Sequence, residues 1–489
     1  MNLACKTSVV AVAATLALTA CTFGPSGAAP AMPSPAHYGA EAQPSKTVTA
    51  GGVVQQFDVG AALVPQWWRL YRSDALDALV EEGLRDSPTL AAAQKHLAAA
   101  QEDLRAQIGA STLPSVDGQA VVARERNPVV TPTGTDSVRY NVFVGQIQAH
   151  YTFDLFGATR YANAAGAARV NVQAYELEAA RRALAADIVG SAIDVGSLDL
   201  QVALTERLVA VANEQARDDQ QRYTLGSVSR AQALASTQNA ASIAASLPAL
   251  RQQRAAAIHG LAVLMGRTPD NAPTVPDIDS LSLPDHVPVA VPSDLLRSRP
   301  DIQAADAAVK AAAADAGEAT AQLFPSLSLT ASMGRGGFSW PMLLSGAGGL
   351  WALGAGLSQP IFHGGALFTQ RRAAIDNYDA AVLQYKSTVL SAFENVADTL
   401  AALDNDAQTL ASTQTASDAA RVAFDDTALR RRMGSLPLTA EHVSAQQYLD
   451  AQLDVVRAAS RRMTDTAALF QAMGELPGSV ADPRTASRE

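Results

Sequence analysis

The longest uninterrupted helical pattern in the chain is residues 366–433, ALFTQRRAAIDNYDAAVLQYKSTVLSAFENVADTLAALDNDAQTLASTQTASDAARVAFDDTALRRRM. It contains neither glycine nor proline, and most of its residues favour helix. As one α-helix it extends over about 100 Å at 1.5 Å per residue, whereas a typical globular helix has only about 11–12 residues. The stretch therefore predicts an elongated helical body.

A glycine ends this helix and is followed by a return helix. Met433-Gly434-Ser435-Leu436 precedes a second helical pattern from about Leu438 to Met473. A glycine between two long helical patterns is typical of a helical hairpin. Because the hairpin is too long to fold onto one compact core, we expect it to pack against other long helices.

The first half of the chain contains the same arrangement. A long helical pattern runs from Ala158 to Leu225, and a return helix runs from Val228 to Met265, with a kink expected at Pro248. Short motifs recur in the same order about 206–212 residues apart: Ser87-Pro88 and Arg299-Pro300, Leu113-Pro114 and Phe324-Pro325, Leu155-Phe156 and Ile361-Phe362, Leu225-Gly226 and Met433-Gly434, Met265-Gly266 and Met473-Gly474. Five matches in register indicate an internal duplication, with repeats at 65–291 and 292–476.

Each repeat also contains two predicted strands, at about 115–127 and 140–153 and at about 326–333 and 350–358. Apolar residues alternate with Ser, Thr, Gly and Gln along them, which is typical of a sheet with two different faces. Residues 127–136 are predicted to form a turn and 334–349 a glycine-rich loop. Four strands leave two open edges, and membrane barrels need at least about 8 strands. Three copies sharing one 12-stranded barrel solve this problem; a small soluble sheet is the alternative.

Residues 1–20 have the pattern of a bacterial lipoprotein signal peptide, with Lys6 before an apolar segment. Leu18-Thr19-Ala20-Cys21 matches the lipobox, so we expect diacylglycerol and palmitate on Cys21. A plain secretory signal with a chance cysteine is the alternative. Thr22, in place of the aspartate that retains lipoproteins in the inner membrane, favours the outer membrane.

The composition predicts what lies at the two ends of the mature chain and excludes several functions. Residues 21–64 are predicted to be an extended lipid-anchored linker, and 477–489 a disordered tail.

The net charge of −10 argues against a nucleic-acid surface. The only cysteine besides Cys21 is Cys5, inside the signal peptide, so no thiol chemistry is expected. The seven histidines show no metal-ligand spacing, and no nucleophile elbow or phosphate loop occurs; we predict no enzyme, no cofactor and no metal site.

Together these features resemble the TolC-type outer-membrane efflux proteins, and most closely their lipoprotein, NodT-like branch. The resemblance covers about residues 18–480. The motifs that carry it, besides the lipobox, are Trp67-Trp68, Asp154-Leu155-Phe156-Gly157, Arg299-Pro300-Asp301-Ile302, Phe324-Pro325-Ser326-Leu327, Gln359-Pro360-Ile361-Phe362 with Gly364-Gly365, and Met473-Gly474.

The resemblance implies a mixed α and β membrane protein. Its duplicated helical hairpins would form a periplasmic α-barrel, and its four strands per protomer would contribute to a trimeric 12-stranded β-barrel. It also implies a homotrimer in the outer membrane, docked to a periplasmic adaptor and through it to an inner-membrane RND or MFS transporter. Such a channel would conduct drugs or toxic compounds to the exterior. A type I secretion exit duct and a non-channel, structural coiled-coil lipoprotein are the alternatives.

The ends of the two hairpins are the predicted functional positions. Each turn needs a residue at positive φ, which Gly226 and Gly434 supply, and the resemblance implies that the tips converge at the channel entrance and contact the adaptor. The charged candidates around them are Asp218, Asp426, Arg430, Arg431, Arg432 and Glu441. Our hypothesis is that the three arginines and Glu441 help to set a closed aperture; solvated tip charges are the alternative.

A ring of aspartates just after the second turn, common among the resembled proteins, is in doubt. Ala440 and Val443 stand about where those aspartates are expected, and Glu441 is the nearest acid.

Overall fold

The computed structural model of the chain describes residues 24–33, 35–39, 44–62, 64–131 and 134–474. The predicted signal peptide, Cys21 and the predicted tail 477–489 lie outside them. Within the described residues the helices are α1 (Asp74–Asp86), α2 (Pro88–Thr112), α3 (Ala158–Thr224), α4 (Arg230–Leu264), α5 (Pro292–Ser298), α6 (Pro300–Ala321), α7 (Trp340–Leu344), α8 (Ala366–Arg432) and α9 (Leu438–Met473). The strands are β1 (Gln56–Val59), β2 (Ser115–Thr131), β3 (Gly134–Phe153), β4 (His286–Val289), β5 (Ser326–Gly337) and β6 (Gly349–Ser358).

The two long helices and their return helices have the predicted bounds to within one or two residues. α3 and α8 each contain 67 residues, and the return helices α4 and α9 contain 35 and 36. Pro248 lies inside α4, which continues through it as one helix. Glycines terminate these helices because each adopts a positive φ that other residues rarely adopt. None of the described helices combines the length and the apolar character needed to cross a bilayer.

Four strands form one antiparallel sheet in the order β2-β3-β5-β6. Two of the predicted boundaries were wrong. β2 continues to Thr131 and β3 begins at Gly134, so most of the predicted 127–136 turn is paired strand. Pro128 is tolerated because β2 is an edge strand of this sheet, where a missing N–H breaks no second ladder. The predicted glycine-rich loop 334–349 begins as the end of β5 and then forms α7.

The two faces of this sheet differ in polarity. On one face, which we call the apolar face, the residues that pair across neighbouring strands are mostly large and apolar. They include Phe143, Ile147, Leu327, Leu329, Met333, Trp351 and Leu353. The opposite, polar face carries Ser, Thr, Gln and Gly. Trp351 and Leu353 are 81% and 68% exposed in the single chain. A sheet face with large exposed apolar side chains requires an apolar environment or a partner.

The chain divides into two compact units that cut across the sequence repeats. The first comprises Met1–Ala31, His96–Ala174 and Ala304–Lys386, and includes the four-stranded sheet. The second comprises Met32–Lys95, Tyr175–Gln303 and Ser387–Glu489, and includes the hairpin turns. Each unit therefore combines segments of both repeats, because helices about 100 Å long extend past any one local core.

The predicted linker 21–64 is more structured than its composition suggests. β1 pairs in parallel with β4, and residues 46–56, which we call the N-terminal strap, close on themselves through the Lys46–Gln56 bridge. Arg462 of α9 is 1% exposed and binds the strap. Its guanidinium donates to Gln55 Oε1 (2.9 Å), to the Ala50 carbonyl (3.0 Å) and to Thr47 Oγ1 (3.1 Å). A buried cation with these acceptors holds the strap in place.

Candidate functional site

The two hairpin turns have the same backbone geometry. Gly226 has a φ of +74° and Gly434 a φ of +75°. In the first turn the Gly226 N–H donates to the Tyr223 carbonyl (2.9 Å) and the Ser227 N–H to the Arg222 carbonyl (2.8 Å). These are the two hydrogen bonds of a Schellman motif.

The second turn repeats both bonds. The Gly434 N–H donates to the Arg431 carbonyl and the Ser435 N–H to the Arg430 carbonyl, each at 2.9 Å. The hydroxyl of the serine after each glycine also donates to the carbonyl that accepts from the serine N–H. This is Arg222 in the first turn and Arg430 in the second, and the distance is 2.9 Å in both. The duplicated Gly-Ser pairs therefore fold into duplicated turns.

The first hairpin is joined near its tip by a buried carboxylate. Asp219 of α3 is 1% exposed and accepts a hydrogen bond from Ser236 Oγ of α4 at 2.6 Å. Arg222, one turn further along α3, lies 3.4 Å from the same carboxylate. Charge-assisted hydrogen bonds of this kind are stronger than neutral ones, so this contact ties α3 to α4 just above the turn.

The second hairpin is joined by an ion pair instead. Arg431 of α8 pairs with Glu441 of α9 across the turn, with side chains 39% and 20% exposed. Arg430 pairs with Asp426 one helical turn away on α8 itself (2.9 Å), and both side chains are more than half exposed. Of these two pairs, only that of Arg431 connects the two helices.

The remaining predicted candidates occupy the surface near the tips. Gly226, Gly434 and Arg432 are exposed, and Asp218 is half-buried on α3. The sequence candidates did not include the Asp219–Ser236 contact. A signal for it was present, because Ser236 falls at helical spacing between Ala233 and Ala240, which are also buried.

The return helix of the second repeat contacts both helices of the first hairpin. Gln446 of α9 donates to Gln215 Oε1 of α3 (2.7 Å) and accepts from Asn239 Nδ2 of α4 (3.1 Å). Further along, Leu449 and Leu453 of α9 form a buried cluster with Leu208 of α3. The two hairpins therefore pack side by side within the second unit.

A pair of carboxylates joins α8 to α9 in the same unit. Asp406 is 6% exposed, and its carboxyl hydrogen-bonds Asp465. Burial first, and then the neighbouring Asp465, raise the pKa of Asp406 to about 7, while Arg461 and Arg462 act in the opposite direction. Burial lowers the pKa of the Arg462 guanidinium, which Asp406 partly offsets. Asp406 therefore keeps its proton in mildly acidic solution and loses it near neutrality.

No group of three or more His, Cys, Asp or Glu side chains in the described residues could hold a metal ion. The polar groups at the tips are instead ion pairs, caps and turn hydrogen bonds, and these fix the positions of helix ends.

A family model described as "Outer membrane efflux protein" matches residues 79–267 and 291–475. The chain belongs to this family. The two matched segments correspond to the two sequence repeats, and the resemblance to TolC-type efflux proteins is confirmed. The protein is thus an outer-membrane channel component of efflux pumps, and its family is one of channels rather than enzymes.

Individual relatives are similar over most of their length. Nodulation protein T of Rhizobium leguminosarum bv. trifolii is 26% identical over 406 residues, 81% of each chain. The pyoverdine export outer membrane protein OpmQ of Pseudomonas aeruginosa is 27% identical over 463 residues, 92% of this chain and 94% of that protein. The crystal structure of the Campylobacter jejuni CmeC outer membrane channel superposes with a TM-score of 0.79 at 20% identity, covering 95% of this chain and 97% of that one. The predicted mixed fold of duplicated hairpins with four antiparallel strands is therefore confirmed.

Proposed function

We propose that three copies of this chain close into one channel that exports small molecules through the outer membrane. The observation that carries the proposal is the open four-stranded sheet, in which β2 and β6 each leave one edge unpaired within the chain. Three such sheets joined edge to edge give a closed barrel of about 12 strands without free edges. The apolar face then meets lipid and the polar face lines the pore.

The helical hairpins extend the pore on the periplasmic side, and their tips form its entrance. There the Arg431–Glu441 ion pair and the Asp219–Ser236 contact hold each hairpin closed at its end. A periplasmic adaptor docks at these tips and connects them to an inner-membrane RND or MFS transporter. The family assignment supports pump partners of this kind, and OpmQ, by its name, exports pyoverdine. Small-molecule drugs or toxic compounds are the proposed cargo.

A lipid on Cys21 anchors the N-terminus at the membrane surface. This proposal is supported by the path of the residues that follow Cys21. A Cβ added to Gly24 would lie 2.9 Å from the Cα of Gly317, and one added to Gly27 would lie 3.3 Å from the Cβ of Ala313. The segment thus approaches the C-terminal end of α6 as it nears Cys21. β5 begins only nine residues after Gly317, and three residues span at most about 10 Å.

Light scattering and planar-bilayer recording of the detergent-extracted, full-length chain test the channel. We expect the mass of three chains, a slowly migrating band on unheated gels that boiling converts to monomer, and stepwise conductance. A monomeric mass without conductance would contradict the proposal. Substituting Cys21→Ser should abolish labelling by radioactive palmitate; labelling that persists would rule out this cysteine as the anchor.

Cross-linking tests the adaptor contact. Cys5 lies in the predicted signal peptide and Cys21 is the predicted lipidation site, so Ser227→Cys or Ser435→Cys places one reactive thiol at an exposed turn. We expect both to cross-link to a co-expressed periplasmic adaptor, whereas Ser246→Cys, midway along α4, should not. Equal cross-linking from the turns and from α4 would contradict tip docking.

A further inference from the structure

Charged side chains in the four-stranded sheet are segregated between its faces. Asp117 and Glu125 lie on the polar face, where Glu125 accepts a hydrogen bond from Tyr140 (2.9 Å). Strand register places every arginine of the sheet on the apolar face: Arg124, Arg126, Arg139 and Arg335. Among the strand residues whose side chains are described, the apolar face has four cations and no anion. The whole chain carries a net charge of −10, so this segregation does not reflect its average composition.

The arginines stand at one end of the apolar face. Arg335 is nine residues from Ser326, the start of β5, which is about 30 Å along the strand and about 22 Å in height at a tilt of about 40°. An apolar barrel band is about 25 Å tall, so Arg335 lies near its exterior border. This height rests on the proposed barrel. Arg335 pairs with Gly145, and Arg124 pairs with Asn141, four residues further out.

The short helix α7 covers the same end of the apolar face. A Cβ added to Gly337 would lie 2.8 Å from Met342 Cγ, so α7 rests directly on β5. The Trp340 ring lies 4.7 Å from that of Phe143, and Arg335 Nη1 donates to the Leu344 carbonyl at 2.9 Å. Tryptophan is typical of the membrane interface, which agrees with the height of Arg335.

A groove of about 900 Å³ lies beside α7 on this face. Its floor is made of small residues, Gly145 and Gly349 among them, and its walls of large apolar ones, including Ile147, Leu344 and Trp351. Arg335 is the one charged side chain that lines it. The groove is therefore an apolar surface cleft with a cation at its rim.

We propose that this groove binds an acyl chain of lipid A in the outer leaflet, with the lipid A phosphates contacting Arg335 and the outer arginines. Guanidinium groups bind phosphate through paired, charge-assisted hydrogen bonds. Lipid A carries two phosphates above several acyl chains, which matches one cation at the rim and three further out. A phospholipid with a single phosphate would use only part of this surface.

Binding of purified lipid A to the full-length protein in phosphatidylcholine nanodiscs tests the arginines. We expect the combined substitutions Arg124→Gln, Arg126→Gln and Arg139→Gln to weaken binding at least tenfold. The matched control, Arg207→Gln with Arg217→Gln and Arg421→Gln, removes as much charge from exposed helix positions of the second unit and should leave binding unchanged. Equal weakening by both sets would overturn the proposal, as would equally strong competition by phosphatidylglycerol.

A groove-filling variant tests the acyl chain separately. A Cβ added to Gly145 meets nothing within 4 Å, so Gly145→Leu should fold while occupying the groove. We expect it to weaken lipid A binding about tenfold but to leave binding of the deacylated, phosphorylated disaccharide unchanged. Single-channel conductance, recorded for every variant, separates the two proposals. Absence of a channel in the unmodified protein contradicts the proposed function, whereas normal conductance with unchanged lipid A binding contradicts this inference alone.

Discussion

The Arg431–Glu441 ion pair is expected to hold the channel entrance closed. It is the one described ion pair that connects α8 and α9 beside the second turn. Substituting Arg431→Gln removes the charge and keeps a polar side chain. If opening separates the tips of α8 and α9, the pair must break, and its loss should shift the channel toward the open state.

The expected size of this shift follows from the exposure of the pair. The two side chains are 39% and 20% exposed, so the pair lies between a surface ion pair and a buried one. We therefore expect each pair to stabilise the closed state by about 1 kcal/mol. Three copies in the proposed trimer contribute about 3 kcal/mol if all three break together. Since about 1.4 kcal/mol corresponds to a tenfold change, the ratio of open to closed channels should rise about 100-fold.

Single-channel recording in planar bilayers measures this ratio directly. Arg430→Gln is the matched control, because Arg430 pairs with Asp426 within α8 and ties no second helix. The exchanged variant, Arg431→Glu with Glu441→Arg, restores the pair with reversed polarity and should return the ratio toward that of the unmodified channel. Equal effects of Arg430→Gln and Arg431→Gln, or no recovery in the exchanged variant, would refute the reasoning.

Three further predictions concern stability, measured by thermal or urea unfolding. Substituting Arg462→Met leaves the acceptors of the N-terminal strap without a donor and should cost about 3 kcal/mol, whereas its exposed neighbour Arg461→Met should cost far less. Because the folded-state pKa of Asp406 is raised from 3.8 to about 7, its contribution to stability is complete below about pH 4 and is lost as the pH rises through about 7. Asp406→Asn should remove this dependence, which amounts to at most about 4 kcal/mol for a shift of this size. Substituting Gly226→Ala or Gly434→Ala should cost about 1 kcal/mol each through the positive φ alone.

Each of these predictions has an outcome that contradicts it. Equal destabilisation by the Arg461 and Arg462 substitutions would show that the strap contributes nothing specific. An unchanged pH profile in Asp406→Asn would place the titration elsewhere. The glycine control is Gly260→Ala in α4, which has an ordinary helical φ and open space around the added Cβ; it should be neutral or stabilising, and a loss equal to that at Gly226 would rule out backbone strain as the cause.

The helices were predictable because strong local signals mark their ends. Gly226 and Gly434 follow the ends of the two long helices, and Pro88 and Pro300 stand at helix starts where a missing N–H costs nothing. These signals need no tertiary information. Because the sequence is duplicated, each helix boundary is marked twice, once in each repeat.

The ends of the strands depend on tertiary pairing and were harder to predict. Pro128 and the threonines around it indicate a turn, yet pairing with β3 keeps Pro128 and Thr131 in strand. α7 has only five residues, and its position on Gly337 is a contact that no local pattern encodes. Arg462 likewise has the sequence appearance of a solvated charge. Its burial depends on a strap more than 400 residues earlier in the chain.

That separation determines the order in which the protein can be completed. The strap leaves the ribosome and crosses the inner membrane long before α9. The guanidinium of Arg462 in α9 then donates to the oxygens of the strap. Contacts between residues 415 positions apart close a loop that spans most of the described residues and form late, because the entropy of loop closure must be overcome first. Engagement of the strap therefore reports that the chain has arrived as far as Arg462 of α9, so a nascent chain cut short before α9 would be distinguishable from a longer one by its unbound strap.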